Sequence, residues 1–290
     1  MIESLLLTTA RVATFFGTRA LTGASGFFFQ HDDRLYLVTN RHVVIDRPSG
    51  HVPDRIEVEV HTDPDNLTHA AVLSVLLYRD GQAIWHQGRD SAGDIDVAAI
   101  ELDRAALPAS LVLRAFTPAH LQHRLQEGKV GRPLLAVGFP LGFHDTLHHL
   151  PVVRQAVIAS SFGLRFQGQG YFLTDARTHR GTSGAPVVMH DDAGDPQLPR
   201  KLLGVHSARL EVGDRELPVE ESLGLNCAWY ADILLTLTAK GRALLTRARM
   251  GSLHGDRVNT FKPHARTVVT GRKAAAPSTR AMSAGSCALA

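Results

Sequence analysis

Between residues 55 and 61 apolar and polar positions alternate, with Ile56, Val58 and Val60 set against Glu57 and Glu59. That is the period of a strand with one buried and one solvated face. Two further apolar runs, at 26–30 and 35–39, flank His31-Asp32-Asp33 and predict a hairpin. Similar runs at 71–78, 97–102, 133–138, 157–160, 171–174, 186–189 and 202–206 are bounded by Gly, Pro, Asn or Asp, and each predicts a strand. Helical periods are few: a short one at 119–126, and a longer one at 231–250 carrying Leu234, Leu237, Ala239, Leu244 and Leu245. Lys and Arg gather toward the end of the second, where cations complement a helix C-terminus. Many short strands with turn signals predict an all-β chain of barrels or sandwiches.

The chain has 290 residues, enough for two units of roughly 150 residues each. The pattern divides it into a first β-unit over 1–104, a looser linker over 105–130 containing Pro108 and Pro118, a second β-unit over 131–235, a helix over 236–250 and a tail over 251–290. The tail is rich in Gly, Ser, Thr, Ala and Arg and poor in bulky residues, which predicts disorder. No internal repeat is visible. Apolar residues make up 44% and charged residues 20%, a composition that supports a sizeable core. The two cysteines, Cys227 and Cys287, exclude a disulfide framework and a Cys-based zinc site. No run approaches the roughly 18 apolar residues of a membrane span, so no membrane partner is expected. The start carries Glu3, lacks early Lys or Arg and has no unbroken apolar stretch. No secretory signal is therefore expected, and the expected location is cytoplasmic.

The formal net charge of +3 and pI near 9.1 point toward nucleic acid only until the charge is mapped. Residues 1–235 hold 21 Lys and Arg against 27 Asp and Glu, whereas residues 236–290 hold 10 against 1. The body is acidic and the basic excess belongs to the end, so a folded nucleic-acid-binding face has little support.

Three segments carry candidate chemistry. His42 stands in Thr39-Asn40-Arg41-His42-Val43-Val44, just after an apolar strand. Asp96 stands at the mouth of an apolar strand in Gly93-Asp94-Ile95-Asp96-Val97-Ala98. Ser183 stands in Gly181-Thr182-Ser183-Gly184-Ala185-Pro186. A serine hydroxyl is a weak nucleophile at neutral pH and needs a base to take its proton. Neutral imidazole suits that role, and a carboxylate fixes its tautomer and stabilises the imidazolium that forms. Glycines beside the serine let backbone N–H groups approach a developing oxyanion, and the amides of Gly181 and Ser183 are the natural pair.

With these residues in the order His42, Asp96, Ser183, the chain resembles trypsin-like serine peptidases of the chymotrypsin fold, and among them the bacterial HtrA (Deg) and glutamyl endopeptidase branches. The resemblance covers roughly residues 20–210. The segment 39–44 resembles the HtrA histidine motif, Asp96-Val97-Ala98 the aspartate motif, and Thr174-Asp175-Ala176 the approach to the active serine. Residues 138–142 and 157–160 resemble strands that open the second barrel. The resemblance implies two six-stranded antiparallel β-barrels with the active site between them. It implies His42 as base, Asp96 as its orienter, Ser183 as nucleophile, the Gly181 and Ser183 amides as oxyanion hole, a protein or peptide substrate and no cofactor. Thr182 departs from the family, which usually has Asp or Asn there, and no PDZ domain follows.

Each residue also has a plainer reading. His42 is one of 16 histidines, singled out by its place after a strand and by the other two motifs. Asp94 competes with Asp96, but Asp96 directly precedes the apolar run and Asp94 reads as a solvated loop acid. Asp175 reads as structural. Under the resemblance, the strand 203–207 lines the specificity pocket, with Ser207 bonded to the catalytic Asp and His206 facing a substrate carboxylate or amide. Arg177 then adds positive charge, which implies Glu or Gln at P1. The other arrangement has His206 packed in the barrel and Arg177 in solvent, and the sequence does not choose between them. His144, His148 and His149, with Asp145, form no HExxH pattern and fall in an expected loop between Gly142 and Pro151, so no metal ligands are assigned. Two functions stand against each other: a serine endopeptidase restrained by narrow specificity or an activating protein partner, and a catalytically silent chymotrypsin-fold interaction module.

Overall fold

The computed structural model describes residues 2–122, 128–213 and 220–240. The first half contributes β1 (Thr9–Phe16), β2 (Arg19–His31), β3 (Arg34–Thr39), the single turn α1 (Arg41–Val44), β4 (Arg55–His61), β5 (Ala70–Leu76), β6 (Tyr78–Arg79), β7 (Gln82–Ala83), β8 (Trp85–Asp90) and β9 (Gly93–Leu102). The second contributes β10 (Pro133–Gly138), β11 (Val152–Val157), β12 (Tyr171–Thr174), β13 (Pro186–His190), β14 (Arg200–Gly213), β15 (Glu220–Tyr230) and the short helix α2 (Ile233–Leu237). The strands form a seven-stranded sheet in the order β5-β4-β1-β2-β3-β9-β8, a six-stranded sheet in the order β11-β10-β13-β14-β15-β12, and the small pair β6-β7.

The two-unit, all-β architecture is the one expected from the sequence. The first sheet has seven strands rather than six because β8, mostly polar, pairs as a hairpin with β9. The expected strand at 157–160 falls instead at β11, an edge strand whose exposed Arg154 and Gln155 mask its period. Past it, Ile158 belongs to no strand: it bridges singly to Thr174 and exchanges backbone hydrogen bonds with Gly131 and Arg132. The β2–β3 hairpin forms where expected, with Asp32 at φ +53° in the turn, a conformation that short polar side chains tolerate. In β4, Ile56, Val58 and Val60 are buried, as the alternation requires.

Three apolar cores result. One fills the first sheet and another the second. The third lies between them, with Phe27, Phe29 and Phe116 meeting Val137, Val188 and Val205. Period two explains how β2 serves two cores: Phe27 and Phe29 face the junction while Phe28 faces the inside of the first sheet. The linker is docked rather than loose. Phe116 donates its N–H to Phe28 O and accepts from Gln30 N, and Leu121 bridges to Leu202. Pro118–His120 forms a 3-10 turn where the short helix was expected; residues 123–127 lie outside the described residues.

The chain then returns to the first sheet. After α2, Leu237 O accepts from His86 Nδ1, and Thr238 O accepts from Arg34 and from the Tyr36 hydroxyl. Of the helix expected over 236–250, α2 covers only the first two residues, ending at Leu237 with Thr238 as its C-cap; the part beyond residue 240 and the expected tail over 251–290 lie outside the described residues. Among the described residues no helix is long and apolar enough to cross a membrane.

Candidate active site

β3 ends at Thr39, and the single turn α1 presents His42 over the start of β9, where Asp96 stands. Asp96 receives three donors. His42 gives its backbone N–H to Oδ1 at 2.8 Å and its Nδ1–H to Oδ2 at 2.7 Å, and Ser207 Oγ donates to Oδ2 at 2.5 Å. Asn40, fully buried, donates its side-chain amide to the Asp96 carbonyl at 2.7 Å and so fixes the strand mouth as well. The Nδ1–H contact sets the His42 tautomer with its lone pair on Nε2. Burial pulls the His42 pKa down, but the Asp96 hydrogen bond and charge, with a smaller pull from Asp46, outweigh it and leave it above the ordinary histidine value. Asp94, the competing acid, pairs instead with Arg41 and Arg89 at the surface.

Ser183 lies in the loop between β12 and β13, and its Oγ donates to the Ser207 carbonyl at 3.2 Å. Ser207 therefore touches both parts of the site: its carbonyl meets Ser183 and its hydroxyl meets Asp96. Around the serine, backbone space is minimal. Gly184 has φ +86°, and a Cβ there would lie 2.2 Å from Ser25 O. Gly181 has φ +90°, and a Cβ there would lie 2.5 Å from Phe139 O. Both positions need glycine for conformation and for space.

The Arg180–Gly181 peptide is oriented by Leu141, whose N–H donates to Arg180 O at 2.6 Å. Because a trans peptide directs its C=O and N–H oppositely, the Gly181 N–H points away from Leu141. Among the described residues neither the Gly181 nor the Ser183 N–H has an acceptor, which leaves both available to an oxyanion. Thr182, in the same loop, is buried, and its Oγ1 has no partner among the described residues.

Ser25 was not singled out by sequence. It is fully buried on β2, and from the first sheet it holds this loop of the second. Its N–H donates to Ser183 O at 2.9 Å, its Oγ donates to Gly181 O at 2.8 Å, and that same Oγ accepts from Phe139 N at 3.0 Å. Asn226, also buried, steadies the approach to the loop. Its side chain donates to Ala176 O and accepts from Thr178 Oγ1. A small polar residue inside a strand has no local signature, so neither role could be read along the chain.

His206, on β14, is 2% exposed, and its Nδ1 is buried without a partner. Burial, with a contribution from nearby His42, pushes its pKa down to about 4, so the ring is neutral at neutral pH. Arg177 is exposed and lines a cleft of about 800 Å³ with Arg154, Asp175 and Arg200, a cleft that none of His42, Asp96 and Ser183 lines. Asp175 is structural, accepting the Val157 N–H at 2.7 Å. Of the histidine cluster, His148 pairs with Asp145 at 2.7 Å, while His144 and His149 lie beside Glu59 of β4.

Residues 24–195 match the family model of the trypsin-like peptidase domain. The match spans more than half of the chain, and the chain belongs to that family. Among solved structures it is similar to an HtrA-type protease, AlgW, with tripeptide (19% identity, TM-score 0.47, covering 80% of this chain and 58% of that one). It is also similar to the serine endoprotease from Yersinia pestis (18% identity, TM-score 0.47, covering 80% and 61%). The chain thus spans about 58% to 61% of the length of these structures. No curated protein matches it in sequence.

Proposed function

We propose that this chain is a serine endopeptidase in which His42, Asp96 and Ser183 act as one unit. The observation that carries this reading is the continuous path from His42 through Asp96 and Ser207 to Ser183. Ser183 Oγ attacks the peptide carbonyl and His42 Nε2 takes its proton, while Asp96 holds Nδ1–H and stabilises the imidazolium. The Gly181 and Ser183 N–H groups receive the oxyanion; one such donor typically contributes about 10²–10³ in turnover. His42 then returns the proton to the leaving amine, and water, activated in the same way, releases the acyl group.

Labelling with a fluorophosphonate, which requires an activated serine, tests this directly. Modification at Ser183 is expected, with a rate that rises with pH along a limb set by His42. Because that pKa is raised, the limb lies above the unperturbed value of about 6.5. A chain that stays inert at every pH would instead be a silent interaction module of the same fold.

We further propose that the P1 side chain is one that accepts a hydrogen bond, Glu or Gln. His206 supports this reading as a neutral donor on β14, next to Ser207. Arg177 lines a different cleft and supplies no charge in this reading, so the amide is served about as well as the carboxylate. In a panel of P1-varied peptides, Gln is expected within about tenfold of Glu, a difference of about 1.4 kcal/mol. Equal or faster cleavage after Arg or Leu would overturn the preference.

A further inference from the structure

We propose that Glu59, His144 and His149 form a binding site for a divalent transition-metal ion of the zinc type. Glu59 comes from β4 of the first sheet, and the two histidines from the loop that follows Gly142. Their three ligand atoms lie within 4.8 Å of one another. Around a tetrahedral ion with bonds of about 2.0–2.1 Å such atoms stand about 3.4 Å apart, so closure requires only small side-chain movements.

What points to a ligand is the pairing state of these atoms. Glu59 Oε2 and His149 Nδ1 are both buried atoms without a hydrogen-bond partner among the described residues, and they stand 3.8 Å apart, ion-pair but not hydrogen-bond distance. Buried polar atoms are nearly always satisfied, because leaving one desolvated and unpaired is costly. Two such atoms side by side, a carboxylate oxygen and an imidazole nitrogen, are what a cation would satisfy together.

The surroundings are arranged accordingly. Arg11 holds the other Glu59 oxygen at 3.3 Å and leaves Oε2 free. His144 donates Nδ1–H to Gly142 O at 2.6 Å, which puts its lone pair on Nε2 and orients the ring, as backbone carbonyls do for metal-bound histidines. His148 and Asp145 are committed to each other, and His148 O accepts from His61 Nε2 at 2.7 Å. Two imidazoles and one carboxylate select zinc, cobalt or nickel over magnesium or calcium, which prefer all-oxygen sets. The ion would tie β4 to the loop whose Leu141 N–H orients the Arg180–Gly181 peptide. The assignment does not depend on hydrolytic activity.

Calorimetric titration of the full chain with Zn²⁺, repeated with Co²⁺ followed by its visible absorption, tests the site. One tight equivalent is expected, with a rise in Tm on zinc addition. Changing a residue that only hydrogen-bonds to a metal ligand already costs about 10–100-fold in affinity, so loss of a ligand in Glu59→Gln, His144→Ala or His149→Ala is expected to cost about 100-fold or more and to abolish the Tm rise. Glu59→Gln keeps the size of the side chain, and its ion-free melting curve separates lost binding from lost structure. A wild-type chain without a tight equivalent, or a folded Glu59→Gln chain that binds zinc as the wild type does, would overturn the proposal.

Discussion

Replacing Ser183 with alanine is expected to lower peptide hydrolysis by about a million-fold, the scale seen when a triad nucleophile is removed. The fold should barely notice. The Ser183 hydroxyl makes one bond, to Ser207 O at 3.2 Å, worth about 1 kcal/mol or less. All the backbone contacts of the loop remain, including Ser25 N–H to Ser183 O and Gly184 N–H to His206 O. Single-turnover hydrolysis of a reporter peptide and a thermal melt on the same preparation give both numbers. The proposed unit of His42 and Ser183 makes a further demand: Ser183→Ala combined with His42→Ala should be no worse than either alone. Retained hydrolysis in Ser183→Ala would place the nucleophile elsewhere.

Ser25→Ala should cost about a hundredfold in kcat with KM little changed, although Ser25 has no part in the proton transfers. Its hydroxyl satisfies Gly181 O and Phe139 N at once. Without it both are left buried and unpaired, at about 1–3 kcal/mol each. The peptide groups can recover partners only by rotating, and rotation moves the Gly181 N–H from the place where an oxyanion would form. Loss of one oxyanion donor is typically worth about 10²–10³ in turnover. The pH limb from His42 should stay in place, since the His42–Asp96 pair is untouched. A shifted limb would point to general disorder of the site, and a kcat within about twofold of wild type would reduce Ser25 to packing.

Strands were legible mostly where one buried face imposed a clear period or an apolar run had firm punctuation, the run at 157–160 excepted. β4, β10 and β12 fall at 55–61, 133–138 and 171–174, where the pattern put them. β8 reads Trp85-His86-Gln87-Gly88-Arg89-Asp90 and has almost no apolar signal; it is a strand because β9 offers it a partner. β1 mixes Thr9, Arg11 and Thr14 with apolar residues and was likewise missed, although Val12 and Thr14 are fully buried. In such segments long-range pairing overrides the local pattern. The candidate specificity residues behaved in the same way. Both arrangements of His206 and Arg177 were open along the chain, and the structure buries the first and exposes the second. The histidine-rich loop carried no metal motif, and the third member of the cluster, Glu59, lies about ninety residues upstream on β4.

The sequence by itself determined the all-β class, the two units, the chemical types in the three motifs and the need for glycine around Ser183, because each depends on side-chain period or on local backbone geometry. Only the tertiary structure showed the bonds themselves: that Asp96, already preferred over Asp94 along the chain, faces His42, that the Ser207 carbonyl meets Ser183, and that Ser25 holds the loop around Ser183. The reason is distance along the chain. His42 and Asp96 are 54 residues apart, Asp96 and Ser207 are 111 apart, and Ser25 and Gly181 are 156 apart. Hydrogen bonds over such separations form only after the two sheets have packed around Phe27, Phe29, Val137 and Val188.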